Sequence, residues 1–199
     1  QISIIQEENG LFPFPAVHLC TYGNLFANTP HADRFVQSHF SERYGGNATS
    51  LSQLLSQIPD KQLDEDLTLL KLGVFARNLT DAAKQSLGAS LAETLIRCEF
   101  NGAPCDPADF AWFYDFDYGN CYTFNARRDE GHVQALKVLR RPGRKYGLNI
   151  ELFLGPAVDK SHFGYLQQRL SGVRLMVTNQ TVQPSASWDG VDLRPGTCT

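Results

Sequence analysis

The spacing of apolar residues changes twice along the chain. Residues 12–20, Phe-Pro-Phe-Pro-Ala-Val-His-Leu-Cys, combine two prolines with a short apolar run, a pattern that suits an extended strand better than a helix. Over residues 50–96 the period becomes helical. Leu51, Leu54, Leu55 and Ile58 recur at helical spacing, Pro59 breaks the run, and Leu63, Leu67, Leu70 and Val74 resume it, which predicts two helices. A third helix is predicted from Thr80 as N-cap and Asp81 in the first turn, with Leu87, Leu91 and Leu95 four apart up to Cys98. Beyond Cys98 the texture is β-like, with an aromatic-rich segment from Phe110 to Tyr118 and then Cys121-Tyr122-Thr123-Phe124. Leu148, Ile150, Leu152 and Leu154 share one face, as do Val173, Leu175 and Val177, the period-two pattern of half-buried strands. The elements add up to an α+β fold in which a helical insertion interrupts a sheet, with no repeat and no linker that would split the chain.

Composition narrows the function classes. The chain has 199 residues, 42% hydrophobic and 20% charged, enough for a buried core and too balanced for a disordered tail. Lys plus Arg number 18 against 21 for Asp plus Glu, a net charge of -3, so no basic field is present to attract nucleic acid or anionic lipid. The longest apolar stretch, Leu67 to Phe75, is interrupted by Lys71 and falls short of the roughly 20 residues of a membrane span. Gln1 opens no basic and apolar leader, and Thr199 closely follows a Pro-Gly turn; both ends read as cuts, with any signal or anchor expected outside these residues.

The cysteines and asparagines bear on compartment. Cysteines stand at 20, 98, 105, 121 and 198, and Cys98 and Cys105 bracket the turn-rich Asn101-Gly102-Ala103-Pro104, consistent with a short disulfide loop. The alternative is five buried thiols of a cytosolic protein. Three N-x-S/T sequons, at Asn47, Asn78 and Asn179, shift the reading toward an oxidising, extracellular setting. Zinc is rejected, since no C-x-x-C and no paired histidine could complete a tetrahedral site.

Candidate chemistry is sparse. Asp115 and Asp117 form a D-x-D that, on an extended strand, places both carboxylates on one face, where they could hold a divalent cation. No glycine-rich βα turn accompanies them, so a solvated acidic loop or a cation-sensing patch with Asp106 and Asp109 is preferred to a sugar-nucleotide enzyme. The histidines at 18, 31, 39, 132 and 162 show no ligand spacing, and no nucleophile-base pattern can be assembled, so the chain is read as no enzyme. His18, between Val17 and Leu19, reads as a packed strand residue and His31 as an exposed one. The basic turn Arg140 to Lys145 reads as a solvated loop first and a polyanion or partner contact second, with furin-like cleavage a further hypothesis.

Read in order, Phe14-Pro15-Ala16-Val17-x-Leu19-Cys20, Cys98-x-Phe100-Asn101-Gly102-x-x-Cys105, Tyr118-Gly119-Asn120-Cys121-Tyr122-Thr123-Phe124-Asn125, Gly147-Leu148, Gly172-Val173-Arg174 and Leu193-Arg194-Pro195-Gly196 resemble the degenerin and epithelial sodium channel family over nearly the whole chain. The resemblance implies a partial extracellular domain shaped as a clenched hand: residues 1–30 holding the strand that enters the palm, 31–97 a helical finger, and 98–199 the β-ball and palm strands. It implies disulfides Cys20–Cys121 and Cys98–Cys105, with any mate of Cys198 downstream. The intact protein would be a homo- or heterotrimeric, amiloride-sensitive, sodium-selective channel at the plasma membrane. It would sense a peptide or small ligand outside the cell and use no cofactor beyond the sodium it transports. Thumb, membrane helices and selectivity filter are expected outside these residues. His18 stands where members commonly have Thr, Thr21 where they have Asn, and Thr178 where they often have His. Phe163 to Ser171 contains Arg169 and no carboxylate, which disfavours proton gating and leaves peptide-gated, constitutively open and touch-related types. The alternative reading is a secreted, disulfide-stabilised binding module.

Overall fold

The computed structural model describes residues 12–22, 30–45, 51–76, 79–127, 135–139, 141, 143, 146–154 and 172–196. Asn47, Asn78, His132, His162, Cys198, residues 163–171 and most of the basic turn (Arg140, Pro142, Arg144, Lys145) lie outside them. Among the described residues, no helix is long and apolar enough to cross a membrane.

The fold is α+β. Its centre is an antiparallel five-stranded sheet in the order β10 (Val191–Leu193), β9 (Val173–Thr178), β2 (Ala16–Thr21), β6 (Gly119–Phe124), β5 (Phe110–Asp115). A smaller sheet has the order β4 (Ala103–Pro104), β3 (Leu95–Phe100), β8 (Leu148–Leu152), and a two-stranded ribbon pairs β1 (Phe12–Pro13) with β7 (Val138–Leu139). β2 is the central strand, and all six of its residues are buried. It pairs with β6 from Val17↔Phe124 to Cys20↔Cys121 and with β9 from Ala16↔Thr178 to Thr21↔Val173.

Strand alternation then sorts side chains onto two faces. Val17, Leu19, Phe110, Phe124 and Val173 point to one, where Cys98, Phe100, Leu148 and Ile150 of the smaller sheet pack against them. Phe124 is fully buried, with the rings of Phe14, Phe100 and Phe110 at centroid distances of 6.1, 5.5 and 5.4 Å. The opposite face gathers Cys20, Cys121 and Met176 beneath Ala186, with Phe113 and Tyr118 at its margin.

Between β2 and β3 the described residues form five helices: α1 (Pro30–Tyr44), α2 (Leu51–Leu55), α3 (Asp60–Ala76), α4 (Asp81–Leu87) and α5 (Leu91–Thr94). They bury their own cluster around Val36, Phe40, Leu54, Leu55, Leu63, Leu70, Val74 and Leu87. Asp66, a fully buried carboxylate of this cluster, is paired with Arg43 at 2.7 Å and accepts the Tyr44 hydroxyl.

Three expectations are corrected. The single helix from Thr80 to Cys98 is two: Thr80 caps α4 by accepting from Ala83 N, but Gly88 is extended, and Ser90 with Glu93 forms a capping box that starts α5. The chain is already a strand at Leu95, so the run of leucines crosses from one core to another, Leu87 into the helical cluster and Leu91 and Leu95 against the sheets. In β9, Val177 shares a face with Val173 and Leu175 yet is 58% exposed, because the smaller sheet does not reach that far along the strand; Met176, on the other face, is the buried one. The D-x-D does not lie along one strand: β5 ends at Asp115, and Asp117 sits in the turn to β6.

Candidate functional site

The middle of the five-stranded sheet combines a covalent and a polar tie across the same strand. Cys20 and Cys121 are direct cross-strand partners, and their Cα atoms are 4.5 Å apart, close enough for the disulfide they form. Two residues earlier, on the same face, His18 is 2% exposed. Its Nδ1 lies 2.8 Å from Thr123 Oγ1 on β6 and its Nε2 lies 2.7 Å from Thr178 Oγ1 on β9.

The tautomer follows from the neighbours. Thr178 Oγ1 carries one proton and also lies 2.9 Å from the Asn179 carbonyl and 3.1 Å from the Val182 carbonyl, neither of which can donate. With the threonine proton spent on a carbonyl, Nε2 carries the histidine proton and donates it to Thr178, while Nδ1 accepts from Thr123. Burial pushes the imidazole down from 6.5 to about 4, so the ring is neutral at physiological pH. His18 and Thr178, two of the three positions where the sequence was expected to depart from the family it resembles, are in direct contact in the structure. The third, Thr21, is buried at 6% exposure.

One end of this face carries a second polar group. The Tyr22 hydroxyl donates to Asp192 Oδ1 at 2.5 Å, and Arg174 donates to the same oxygen at 2.8 Å. Arg174 Nε also reaches the Ala186 and Asp189 carbonyls at 3.0 and 2.9 Å, tying residues 186–189 over the sheet. Burial, with the bonds to Asp192 and Tyr118 adding to it, raises the Tyr22 phenol well above its usual value; the Tyr22 and Arg174 donors hold Asp192 below the usual carboxylate range. Gly190 ends this segment at φ +96°, and a Cβ there would run into the Leu175 carbonyl oxygen and Met176 Cγ. The segment presents Trp188, 87% exposed, to solvent.

A third set of bonds couples the helices to the sheet. Asn120 Nδ2 donates to the Gln85 and Ala89 carbonyls at 2.9 and 3.1 Å, Tyr122 donates to Ala89 at 3.1 Å, and the Trp112 indole donates to Asn120 Oδ1 at 3.0 Å. Burial pushes the Tyr122 and Tyr114 phenols up to about 12, which keeps both protonated.

The acidic residues singled out in the sequence separate into two places. Asp106 and Asp109 cap a single 3-10 turn reciprocally, and Asp109, buried, pairs with Lys137 at 2.7 Å. Asp115 Oδ1 accepts from the Asp117 and Tyr118 amides in the β5–β6 turn, and Asp117 accepts the Ser187 hydroxyl. Among the described residues no three His, Cys, Asp or Glu side chains converge as metal ligands. Cys98 and Cys105 form a disulfide with Cα atoms 5.3 Å apart at the β3–β4 turn. Asn179 is exposed just after β9. Sequence reasoning missed Tyr22, Asp192 and the role of Arg174, since Tyr22 and Asp192 are 170 residues apart and carry no local signature. Asn120 and Asn125 were visible only as letters of a motif. Asn125, at φ +61°, bonds the Phe14 carbonyl at 2.5 Å and accepts from Lys137 N at 2.7 Å, so that it locks β1 to the end of β6.

Comparison with known proteins bears on all of this. The family model described as Amiloride-sensitive sodium channel matches residues 1–199. The chain is 28% identical to epithelial sodium channel subunit beta of Oryctolagus cuniculus over 187 residues, 92% of this chain and 24% of the relative. It is 31% identical to subunit alpha of Rattus norvegicus over 118 residues, 59% of this chain and 16% of the relative. It is 28% identical to subunit beta-2 of Xenopus laevis over 131 residues, 66% of this chain and 19% of the relative. The aligned part of the chain thus spans a quarter or less of the length of these curated relatives.

Proposed function

The chain belongs to the amiloride-sensitive sodium channel family, and on that premise we propose that it is part of the extracellular domain of a channel subunit at the plasma membrane. Residues elsewhere in the polypeptide anchor it and form the pore, which conducts sodium and is blocked by amiloride. Subunits assemble as a homo- or heterotrimer. The observation that carries this reading is the family match along the whole chain. In the terms of the clenched hand, the five-stranded sheet is palm, the helices are finger, and the smaller sheet belongs to the β-ball.

The bonding supports a mechanical role for the sheet. An effector, peptide or small molecule, that binds the helices differently in two channel states shifts the balance between those states by its difference in affinity. Displacement of α4 is passed through Gln85 and Ala89 to Asn120 and Tyr122 on β6. From β6 it reaches β2 through Cys121 and Cys20, and β9 through His18. Asp109 is committed to Lys137, so effector sensing by acidic groups falls to the exposed Asp106 and Asp117, with Asp115 shaping the turn. The test is to express the complete polypeptide, alone and with other subunits of the family, and to record sodium current before and after amiloride. An amiloride-sensitive sodium current is expected. Surface delivery without such a current in any combination overturns the reading.

A further inference from the structure

The turn that follows β9 sets a glycosylation sequon between two exposed aliphatic side chains. Asn179 Oδ1 accepts from the Thr181 amide and the Thr181 hydroxyl, both at 3.2 Å, so the sequon's asparagine and threonine are already in contact. Val177, two residues before Asn179 near the end of β9, is 58% exposed, and Val182, whose amide donates to the Asn179 carbonyl at 3.0 Å, is 48% exposed. Both valines are thus largely open to water, one on each side of the sequon along the chain.

We propose that Asn179 carries an N-linked glycan whose first sugars lie over Val177 and Val182. The inference rests on the extracellular placement proposed above. The donor is a lipid-pyrophosphate-linked oligosaccharide. Asn179 Nδ2 forms a bond to the sugar C1, the C1–O bond to the pyrophosphate breaks with its electron pair leaving on the pyrophosphate, and one amide proton is released to a transferase base, with no change in oxidation state. Once attached, the N-acetyl methyl and the C–H face of the first sugar remove the two valines from water, as an aliphatic neighbour would.

The complete polypeptide is expressed through the secretory pathway of cultured cells, deglycosylated by an amidase in heavy-oxygen water, and digested with trypsin. The tryptic peptide that begins at Leu175 and runs through the uncleaved Arg194–Pro195 bond is expected to carry heavy-oxygen-labelled aspartate at 179. An unlabelled 179 with label at Asn47 or Asn78 overturns this inference and leaves the extracellular reading standing; no label at any of the three overturns both. Asn179→Gln is expected to lower surface delivery several-fold, and Thr181→Ser, which keeps the sequon, to leave it unchanged. Adding Val177→Thr and Val182→Thr to Asn179→Gln is expected to restore delivery. Delivery indifferent to Asn179→Gln, or not restored by the paired threonines because another subunit covers the valines, overturns the cover.

Discussion

Acid should loosen the sheet through one side chain. In the unfolded chain His18 titrates near 6.5, and in the folded chain burial pushes it down to about 4. Above pH 6.5 the ring is neutral in both states and contributes no pH dependence. As pH falls below that value the unfolded state takes up a proton that the folded state refuses, so stability drops with a limiting slope of about 1.4 kcal/mol per pH unit. The loss reaches about 3 kcal/mol by the folded value near 4 and then stops growing. Against a domain stability of about 5–15 kcal/mol this is large enough to measure. The assay is urea unfolding of the 199-residue chain with its disulfides intact, at several values between about pH 7.5 and pH 4.5, for the native sequence and for His18→Gln. The glutamine keeps a polar contact and cannot titrate. At neutral pH the variant should be less stable by about 1–3 kcal/mol, since Thr123 or Thr178 loses its partner. As pH falls, that gap should narrow by the amount His18 loses. A gap that stays constant across the range refutes the reasoning, because the buried ring would then not be what resists protonation.

The two disulfides should differ in weight. Cys20–Cys121 closes a separation of 101 residues and Cys98–Cys105 one of 7. The chain-entropy account therefore gives Cys121→Ser about 4–5 kcal/mol of destabilisation and Cys105→Ser about 2–3 kcal/mol. Denaturant midpoints of the two variants check the order, and equal losses would count against it. Gly190→Ala should cost at least about 1–2 kcal/mol, because its φ of +96° disfavours a side chain and the added methyl meets the Leu175 carbonyl. A thermal midpoint unchanged from the native chain would show that residues 184–190 can move aside freely.

What the sequence disclosed depended on how local the cause was. The alternation of Leu148, Ile150 and Leu152 is visible in the letters because one face of β8 packs and the other is wet, and the structure half-buries those three residues and exposes the two between them. The leucines at 87, 91 and 95 were read as one helix because four-residue spacing takes no account of which core each residue enters; Gly88 and the Ser90–Glu93 box were the countervailing signal. Helix α1 went unread although Ala32, Val36 and Phe40 are buried four apart, because that stripe is one residue wide and diluted by charges. The site was less legible than the fold. His18 could be read as packed, but its partners sit 105 and 160 residues away, and nothing near residue 18 names them. The D-x-D spacing suggested a shared face only while both residues were assumed extended; a turn between Asp115 and β6 removes that premise.

The position of β2 also bears on when the domain can be completed during synthesis. The first strand of the five-stranded sheet to be made is also its centre, and its neighbours are made 101 residues later at Cys121 and 160 later at Thr178. At elongation rates of roughly 5–20 residues per second, β2 waits roughly 5–20 s for β6 and roughly 8–30 s for β9. Through that interval an apolar strand with both edges bare is a template for pairing with any other nascent chain. Oxidation of Cys20 to Cys121 before β9 emerges closes one edge covalently and leaves a single vacancy to fill. The long disulfide is thus a timing device as well as a brace. An expression host slow to oxidise thiols should lose this domain to aggregation during translation, even where the finished fold would be stable.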